Sequence, residues 1–152
     1  MRPIEIAYWL QRKLWHLVRP STTGVKVLLF DPNKAVALIR NSYGRSDLFV
    51  LPGGGVRPFE KPEAAAVREV REELGLEATE IVLRSVHRSS AEGKRDTIYL
   101  FTANARGELS IDETEVAEAG FFAVEELPEA TSSATRRRID EHLGRRRADQ
   151  KW

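Results

Sequence analysis

The chain has 152 residues, 31% of them charged and 41% hydrophobic, with a formal net charge of +1. This length suits one domain with a sizeable core, and the near-neutral charge excludes a global field that would select nucleic acid or a membrane surface. The sequence contains no cysteine, which excludes disulfides, thiolate zinc sites and a cysteine nucleophile.

The N-terminal stretch from Pro3 to Pro20 predicts a helix rich in tryptophan and leucine. Arg12 and Lys13 interrupt its apolar residues, so it does not resemble a secretory signal peptide or a membrane span. We therefore expect a cytoplasmic protein without a transmembrane segment. A helix lying in a membrane interface is one interpretation, because tryptophans and arginines suit that position. We prefer a helix that covers apolar surface of the domain or of a partner in a homodimer.

The middle of the chain alternates predicted strands and helices. A hairpin is predicted by GVKVLLFDPNKAVALIR, in which two β-rich runs flank the turn residues DPN. A short strand that enters a glycine loop is predicted by DLFVLPGGG. The next helix is predicted by KPEAAAVREVREELG, with Pro62 near its first turn and Gly75 just past its end.

The second half of the chain predicts three further strands and a final helix. Two strands are predicted by EIVLRSVHRS and RDTIYLFTANA, and the second is apolar on both faces from Ile98 to Phe101, which is typical of a central, buried strand. A short strand and turn are predicted by GFFAVEELP, and a helix with a serine cap by SSATRRRIDEHLGRRR. This order of elements implies an α/β or α+β sandwich.

The basic tail allows two interpretations. It could bind RNA or a polyphosphate through its arginines. Ile139 and Leu143 stand four residues apart, which favours a helix docked by one narrow face with solvated arginines elsewhere. We prefer the docked helix, and we expect the last few residues to be frayed.

Three acidic residues fall on one face of the helix predicted after the glycine loop. Glu69, Glu72 and Glu73 stand at i, i+3 and i+4, where like charges repel by roughly 0.2–0.5 kcal/mol per pair. No lysine or arginine stands four residues beyond Glu69 or Glu72 to relieve the stripe. We expect the neighbouring core face to comprise four residues: Glu63, Val67, Val70 and Leu74.

A bound cation would explain this acidic stripe. The helix follows LPGGGVRPFE, a loop with three consecutive glycines, where the backbone is able to approach a ligand closely. Carboxylates and a backbone carbonyl are all oxygen ligands, which suit Mg²⁺ or Mn²⁺. A divalent ion would turn the repulsion between the carboxylates into binding energy.

The spacing of these residues resembles the box of the Nudix hydrolases, G-x5-E-x7-R-E-U-x-E-E-x-G-U, in which U is aliphatic. Every fixed position is present from Gly54 to Leu76, and the preceding LPGG is also typical of that family. The resemblance implies the α/β class and a Nudix-type α/β/α sandwich with a mixed β-sheet. We expect this domain at residues 21–152, with its C-terminal helix and basic tail, after an N-terminal helical extension at residues 1–20.

The resemblance also implies an activity and a metal site. The activity is divalent-metal-dependent hydrolysis of a diphosphate linkage in a nucleoside diphosphate derivative, such as a nucleotide sugar or a nucleoside triphosphate. Glu69, Glu72 and Glu73 match the metal-binding and catalytic carboxylates, and Glu69 is also a candidate to orient or deprotonate the attacking water. The carbonyl of Gly53 matches a backbone ligand. Four further residues would support the box structurally: Gly54, Glu60, Arg68 and Gly75.

Several residues outside the box are candidates for the same site. The acidic candidates for a further metal ligand are Asp112, Glu113, Glu115 and Glu118. Glu115 is favoured because it stands at the family's distance before the aromatic pair Phe121–Phe122, and the alternative is a solvated acidic loop. Arg40 ends the second hairpin strand, where relatives place a phosphate-contacting arginine, and the alternative is a plain surface charge. His87 lies in a predicted strand, and we interpret it as structural.

Two function classes remain open at this point. The first is a Nudix hydrolase, and the second is a non-catalytic nucleotide-binding sensor with a Nudix fold. The sensor would typically have lost one of the charged box residues, and their full presence favours the enzyme. A third idea, an RNA-binding protein, rests on the basic tail alone. We expect a small nucleotide derivative as partner rather than nucleic acid, and the sequence lacks the subfamily markers that would name it.

Overall fold

The computed structural model describes residues 2–18, 21–44, 47–90 and 95–152, with the backbone alone for residues 11–18. The helices are α1 (Pro3–Val18), α2 (Pro62–Leu74) and α3 (Ser133–His142). The strands are β1 (Ser21–Phe30), β2 (Val36–Asn41), β3 (Phe49–Val50), β4 (Gly53–Gly55), β5 (Glu77–Ser89), β6 (Arg95–Arg106) and β7 (Val116–Phe122). Among the described residues, no helix is long and apolar enough to cross a membrane.

In the part of the chain that the structure describes, the strands form one mixed, seven-stranded sheet. Its order is β3-β2-β1-β6-β5, while β4 pairs with β1 and β7 pairs with β2. Strands β1 and β6 run parallel, and the other pairs are antiparallel. Strand β6 therefore has a neighbour on each side, and Ile98 and Phe101 are both buried. The predicted central strand and mixed sheet are confirmed.

Alternate side chains of β1 point to opposite faces of the sheet and pack into a hydrophobic core on each face. Val27 and Leu29 pack with Val70 of α2, while Leu28 packs with Ile139 of α3 on the other face. Side chains alternate between faces along a strand, so β1 is covered on both sides. Full burial of each such side chain contributes about 1.5–3 kcal/mol. This arrangement confirms the α/β/α sandwich.

The predicted hairpin joins β1 and β2 through a turn that Asp31 stabilises. Its Oδ1 accepts hydrogen bonds from the backbone N–H groups of Asn33 and Ala35, both at 2.9 Å. An aspartate side chain that bonds its own backbone in this way favours a tight turn. Phe30 then pairs with Val36 in the antiparallel ladder.

Helix α2 begins and ends where its sequence predicts. Pro62 stands in the first turn, and Gly75 follows the last residue with φ 67°. The N–H of Gly75 donates to the carbonyl of Arg71 at 2.9 Å. A Cβ at Gly75 would lie only 2.7 Å from the carbonyl oxygen of Ser110. Both the left-handed conformation and this close approach favour glycine.

The core face of α2 differs from the prediction. Glu63 is exposed, so its expected place on the core face is wrong. The buried residues are Ala65, Ala66, Val70, Glu73 and Leu74. The two alanines allow the helix to pack closely on the sheet, so the contact face is centred on them and includes Glu73. The glycines after Pro52 also form a short strand, β4, rather than only a loop.

The C-terminal segment is docked instead of frayed, so that expectation is wrong. The N–H of Arg88 donates to Gln150 at 2.8 Å, and the N–H of Trp152 donates back to Arg88 at 3.0 Å. The Trp152 ring lies 5.2 Å from the guanidinium of the fully buried Arg138 and 5.5 Å from the His87 ring. Cation–π and ring contacts therefore hold the end of the chain on β5.

Helix α3 docks by a face that the sequence predicted only in part. Ile139 is buried, but Leu143 is 38% exposed. The other buried positions are Thr135 and Arg138. Arg138 donates to Nδ1 of His87 at 2.8 Å and to Glu141 at 2.9 Å, so hydrogen bonds accompany the burial of this charge.

Replacing Gly75 by alanine should destabilise the domain more than the same change at Gly144. Both glycines have positive φ, 67° and 73°, but only Gly75 has a backbone neighbour within 3 Å of the added Cβ. The left-handed conformation costs a non-glycine residue about 1–2 kcal/mol at either site, and the steric overlap adds about 1–3 kcal/mol at Gly75. Urea unfolding measures the free energy difference, and equal losses for Gly75→Ala and Gly144→Ala would contradict this account.

Candidate active site

The most buried carboxylate in the predicted box belongs to Glu73. Its side chain lies between α2 and the sheet with 7% exposure, and its Oε1 accepts a hydrogen bond from the N–H of Gly53 at 2.7 Å. Burial raises its pKa to about 8; Lys26 and the bond from Gly53 act in the opposite direction, and the charges of Glu69 and Glu115 raise the pKa further. In the absence of a further cation, this carboxyl group therefore holds negative charge with difficulty.

Two of the three glycines in β4 are required by close approach. Gly53 has φ 151°, and a Cβ there would lie 2.0 Å from the carbonyl oxygen of Val25. A Cβ at Gly54 would lie 2.4 Å from Oε1 of Glu69. A Cβ at Gly55 would meet nothing within 4 Å. The first two glycines thus let β4 press against β1 on one side and against a carboxylate of α2 on the other.

Arg68 joins the glycine segment to the acidic face of α2. Its Nε and a terminal nitrogen each donate to Glu60 at 2.9 Å, and the same terminal nitrogen donates to the carbonyl of Gly55 at 2.9 Å. Its other terminal nitrogen donates to Glu69 at 2.9 Å and to Glu72 at 3.2 Å. No basic residue follows the glutamates at the i+4 positions, but Arg68, which precedes them, is a basic partner of Glu69 and Glu72.

A second arginine completes this network. The N–H of Arg57 donates to Glu60 at 3.0 Å, and its guanidinium lies 3.4 Å from Glu72. The hydrogen bonds from Arg68 and then that from the Arg57 backbone lower the pKa of Glu60 to about 2, and Arg68 in turn has a raised pKa. Glu60 is therefore charged at neutral pH, and the Glu60–Arg68 pair supports the geometry of the box.

Glu69 occupies a less accessible position than Glu72. Its side chain is 13% exposed, against 41% for Glu72. Burial raises the pKa of Glu69, Arg68 opposes that shift, and the charges of Glu72 and Glu115 add to it. Glu69 is thus a carboxylate in a restricted position with a higher proton affinity than an exposed glutamate.

Glu115 is the acidic residue outside the box whose charge acts on it. The carbonyl of Glu115 accepts a hydrogen bond from Ser42 at 3.0 Å, which fixes the segment before β7. Its charge raises the pKa of both Glu69 and Glu73, so it lies within electrostatic range of both. Among the other candidates, Asp112 accepts two hydrogen bonds from Thr114, at 2.7 and 2.9 Å.

Arg40 lies in β2 directly opposite Glu118 of β7. Two of its nitrogens lie 3.3 Å from Oε2 of Glu118, and both side chains are at least one third exposed. An exposed pair of this kind contributes at most about 1 kcal/mol. The pair accounts for Glu118 as well as for Arg40, and neither residue needs a role in the site to explain its position.

The donor atoms of the box fit a hard divalent cation. Carboxylate and carbonyl oxygens are available from Glu69, Glu72, Glu73, Glu115 and Gly53. Burial raises the pKa of Glu69 and of Glu73, and the charges of neighbouring glutamates raise both further, so a bound cation would favour the charged forms of these groups. In the described ranges, however, no three acidic or histidine side chains are grouped closely enough to ligate one ion. A cation would therefore compete with Arg68 for Glu69 and Glu72.

Two residues at this site were not among the sequence-predicted candidates. Lys26 of β1 donates to the carbonyl of Leu51 at 3.0 Å and acts on Glu73. The signal for it was a single lysine inside the apolar run VKVLLF. Tyr43, just after β2, has a pKa raised by burial and by Glu73, Glu115 and Glu69. Nothing in its sequence neighbourhood distinguishes Tyr43 from an ordinary loop tyrosine.

Replacing Glu73 by glutamine should flatten the pH dependence of stability in metal-free buffer. Because the pKa of Glu73 is about 8 in the folded protein, its proton stabilises the fold fully below the ordinary pKa and that contribution is lost as pH rises through about 8. The free energy of unfolding of Glu73→Gln should therefore rise relative to that of the wild type between pH 5 and pH 9, by on the order of a few kcal/mol. Thermal unfolding with EDTA measures this.

The exposed Glu72 supplies the matched control for that experiment. Its side chain is 41% exposed, so Glu72→Gln should follow the wild-type pH profile closely. Parallel profiles for the wild type and Glu73→Gln across the same pH range would contradict the assignment of the buried proton to Glu73.

Comparisons with known proteins agree with this geometry. A family model described as the NUDIX domain matches residues 20–143. The NAD-capped RNA hydrolase NudC of Deinococcus radiodurans is 33% identical over 115 residues, which cover 74% of this chain and 40% of that protein. The diphosphoinositol polyphosphate phosphohydrolase 3-alpha of Mus musculus is 39% identical over 64 residues, which cover 42% of this chain and 38% of that protein. The matched segments thus span about 40% of these relatives' length.

Solved structures share the fold. The MutT NUDIX hydrolase of Burkholderia pseudomallei is 26% identical, with a TM-score of 0.71 over 79% of this chain and 96% of that one. A UDP-X diphosphatase is 19% identical, with a TM-score of 0.62 over 83% of this chain and 64% of that one. At this identity, the similarity supports a shared fold and nothing about activity. The family model covers most of the chain, and the structure presents the box residues together, so this chain belongs to the NUDIX domain family.

Proposed function

We propose that this chain is a Nudix hydrolase that cleaves a diphosphate linkage in a nucleoside diphosphate derivative with the help of Mg²⁺ or Mn²⁺. The observation that supports it best is the buried Glu73 carboxyl, whose pKa of about 8 reflects burial and the nearby charges of Glu69 and Glu115. Buried carboxyl groups with strongly perturbed pKa values cluster at functional sites. The similar proteins are also named as hydrolases and a phosphohydrolase.

The proposed ion site comprises four carboxylates and one backbone carbonyl: Glu69, Glu72, Glu73, Glu115 and Gly53. A bound divalent ion would neutralise the diphosphate, polarise its oxygens and lower the pKa of a water. Glu73 is held in place by its burial and by the N–H of Gly53, which donates to its Oε1 at 2.7 Å. That bond fixes the Pro52–Gly53 peptide, and the carbonyl of Gly53, in the next peptide along the chain, is the proposed backbone ligand.

Glu69 is the proposed acceptor for the proton of the attacking water. Its raised pKa brings it nearer to neutral pH, where a general base works best. Arg68 holds its Oε1 at 2.9 Å, and the backbone of Gly54 approaches the same carboxylate too closely for any Cβ. These two contacts restrict the rotamers of Glu69 and support a positioned base rather than a mobile one.

Arg40 is retained as a proposed phosphate contact. Its guanidinium would have to exchange Glu118, 3.3 Å away, for a phosphoryl oxygen of the substrate. Exchange is possible because an exposed ion pair is weak. The alternative function, a non-catalytic nucleotide sensor, is less well supported, since every charged residue of the box is present and Arg68 and Glu60 are bonded to each other.

A substrate panel tests the activity directly. It should hold nucleoside triphosphates, ADP-ribose, nucleotide sugars, dinucleoside polyphosphates, diphosphoinositol polyphosphate, and NAD-capped and triphosphorylated RNA, each with Mg²⁺, with Mn²⁺ and with EDTA. We expect metal-dependent release of phosphate or a nucleotide from one class. Glu73→Gln serves as the control for contaminating phosphatases and should lose most of the activity. Turnover that persists in EDTA or in Glu73→Gln would contradict the proposal.

The glycine pair supplies a second, geometric test. Gly54→Ala should lower kcat by about 100-fold, because its Cβ would fall 2.4 Å from Glu69 Oε1 and a shift of about 1 Å in a catalytic group has that effect. Gly55→Ala should stay within about threefold of the wild type, since its Cβ meets nothing within 4 Å. Steady-state kinetics on the panel substrate, with thermal unfolding as a check on folding, compares them. Equal activity for the two variants would refute the role of this contact.

A further inference from the structure

Helix α1 contacts the rest of the chain beside the proposed site. The ring of Tyr8 lies 5.4 Å from that of Tyr43, with 56° between the planes. A Cβ at Gly44 would lie 2.9 Å from two carbons of the Tyr8 ring, so Tyr8 packs directly on this backbone. The guanidinium of Arg2 also donates to the carbonyl of Ser42. The N-terminal helix is thus held on residues 42–44, which follow β2.

Ser42, the first of these three residues, is bonded to the segment that contains Glu115. The N–H of Ser42 donates to the Glu115 carbonyl at 3.0 Å, and its hydroxyl donates to the Thr114 carbonyl at 2.6 Å. Tyr43 is the next residue along the chain. Burial and then the charges of Glu73, Glu115 and Glu69 raise the pKa of its phenol, so this ring lies within electrostatic range of the carboxylates from which the ion site is proposed.

We propose that Tyr43 and Tyr8 form an aromatic surface that binds the planar base of the substrate nucleotide while the box carboxylates and their ion bind its diphosphate. This inference rests on the proposed function and gives it a specificity-determining element. Tyr8 lies outside the NUDIX match, which begins at residue 20, so the helix adds part of the surface to the domain.

The geometry of the two rings suits such a ligand. Both tyrosines are half-buried, so neither residue is fully enclosed by the protein. Because the planes are tilted by 56°, the rings form a corner, and a planar group lying against one ring meets the edge of the other. Offset and edge-to-face contacts of this kind are the favourable ones between aromatic groups. Stacking is also tolerant of base identity, because every base has a π-face.

Binding of matched ligands with and without a base tests this surface. Nucleoside diphosphates (ADP, GDP, CDP and UDP) and inorganic pyrophosphate all carry a diphosphate, but only the first four carry a base. Dissociation constants should be measured by calorimetry with Mg²⁺ on the full chain. In Tyr43→Leu we expect the tightest nucleoside diphosphate to bind about tenfold or more weakly, with the pyrophosphate affinity within twofold of the wild type. Tyr43→Phe, which keeps the ring, should retain both affinities.

Two variants on the other side of the contact address Tyr8 without touching the box. Tyr8→Leu removes one ring, and Gly44→Ala displaces that ring while leaving both tyrosines intact, because the new Cβ would overlap it. Both should weaken nucleoside diphosphate binding and spare pyrophosphate. Unchanged affinities in both variants would overturn the assignment of Tyr8.

The results of these binding experiments distinguish a failure of the proposed base site from a failure of the proposed hydrolase function. In one outcome, pyrophosphate binding persists in every variant and the nucleoside diphosphate affinity of Tyr43→Leu is also unchanged. This result would overturn the base site and leave the hydrolase proposal standing. An equal loss of both ligands in Tyr43→Leu, with unfolding temperatures unchanged, would also overturn it. Failure of the wild type to bind any of these ligands with Mg²⁺ would overturn the proposed function and this inference together.

Discussion

Burial of the Glu73 carboxyl between α2 and the sheet is the constraint on which the proposed site depends. A carboxylate at 7% exposure loses most of its hydration, and one hydrogen bond from Gly53 with the charge of Lys26 offsets only part of that loss, as its pKa of about 8 shows. The fold maintains this position because alanines on the same helix face let α2 approach the sheet closely. The surrounding glycines and arginines are arranged around this buried carboxyl group and its acidic neighbours.

The glycine segment and Arg68 together determine how β4 and the acidic face of α2 lie against each other. Gly53 and Gly54 let the backbone of β4 lie against β1 and Glu69, where any side chain would overlap. Arg68 connects that segment to α2 through bonds to Glu60, Glu69 and the Gly55 carbonyl. Arg68 also places a positive charge beside Glu69 and Glu72, which offsets part of the repulsion between the carboxylates of α2.

The sequence predicted the elements well and their contacts less well. The box, Pro62 and Gly75 defined α2 correctly, because proline and glycine impose local backbone conformations. The burial of Glu73 and the exposure of Glu63 depend on how the helix rotates against the sheet, which helical periodicity does not specify. The docked end at Trp152 and the contact of Tyr8 with Tyr43 join residues far apart in the chain, and no local pattern indicates such pairs.

The central claim is that the charge on Glu73 and its neighbours is held for a divalent ion, and the most direct test is calorimetric titration of Mg²⁺ into metal-free protein at pH 7 in two buffers that differ in ionisation heat. At this pH a carboxyl group with a pKa of about 8 is mostly protonated, and a metal ligand must give up its proton. We predict binding accompanied by net proton release, seen as a different apparent heat in each buffer. Absence of Mg²⁺ binding, or binding with the same heat in both buffers, would contradict the claim.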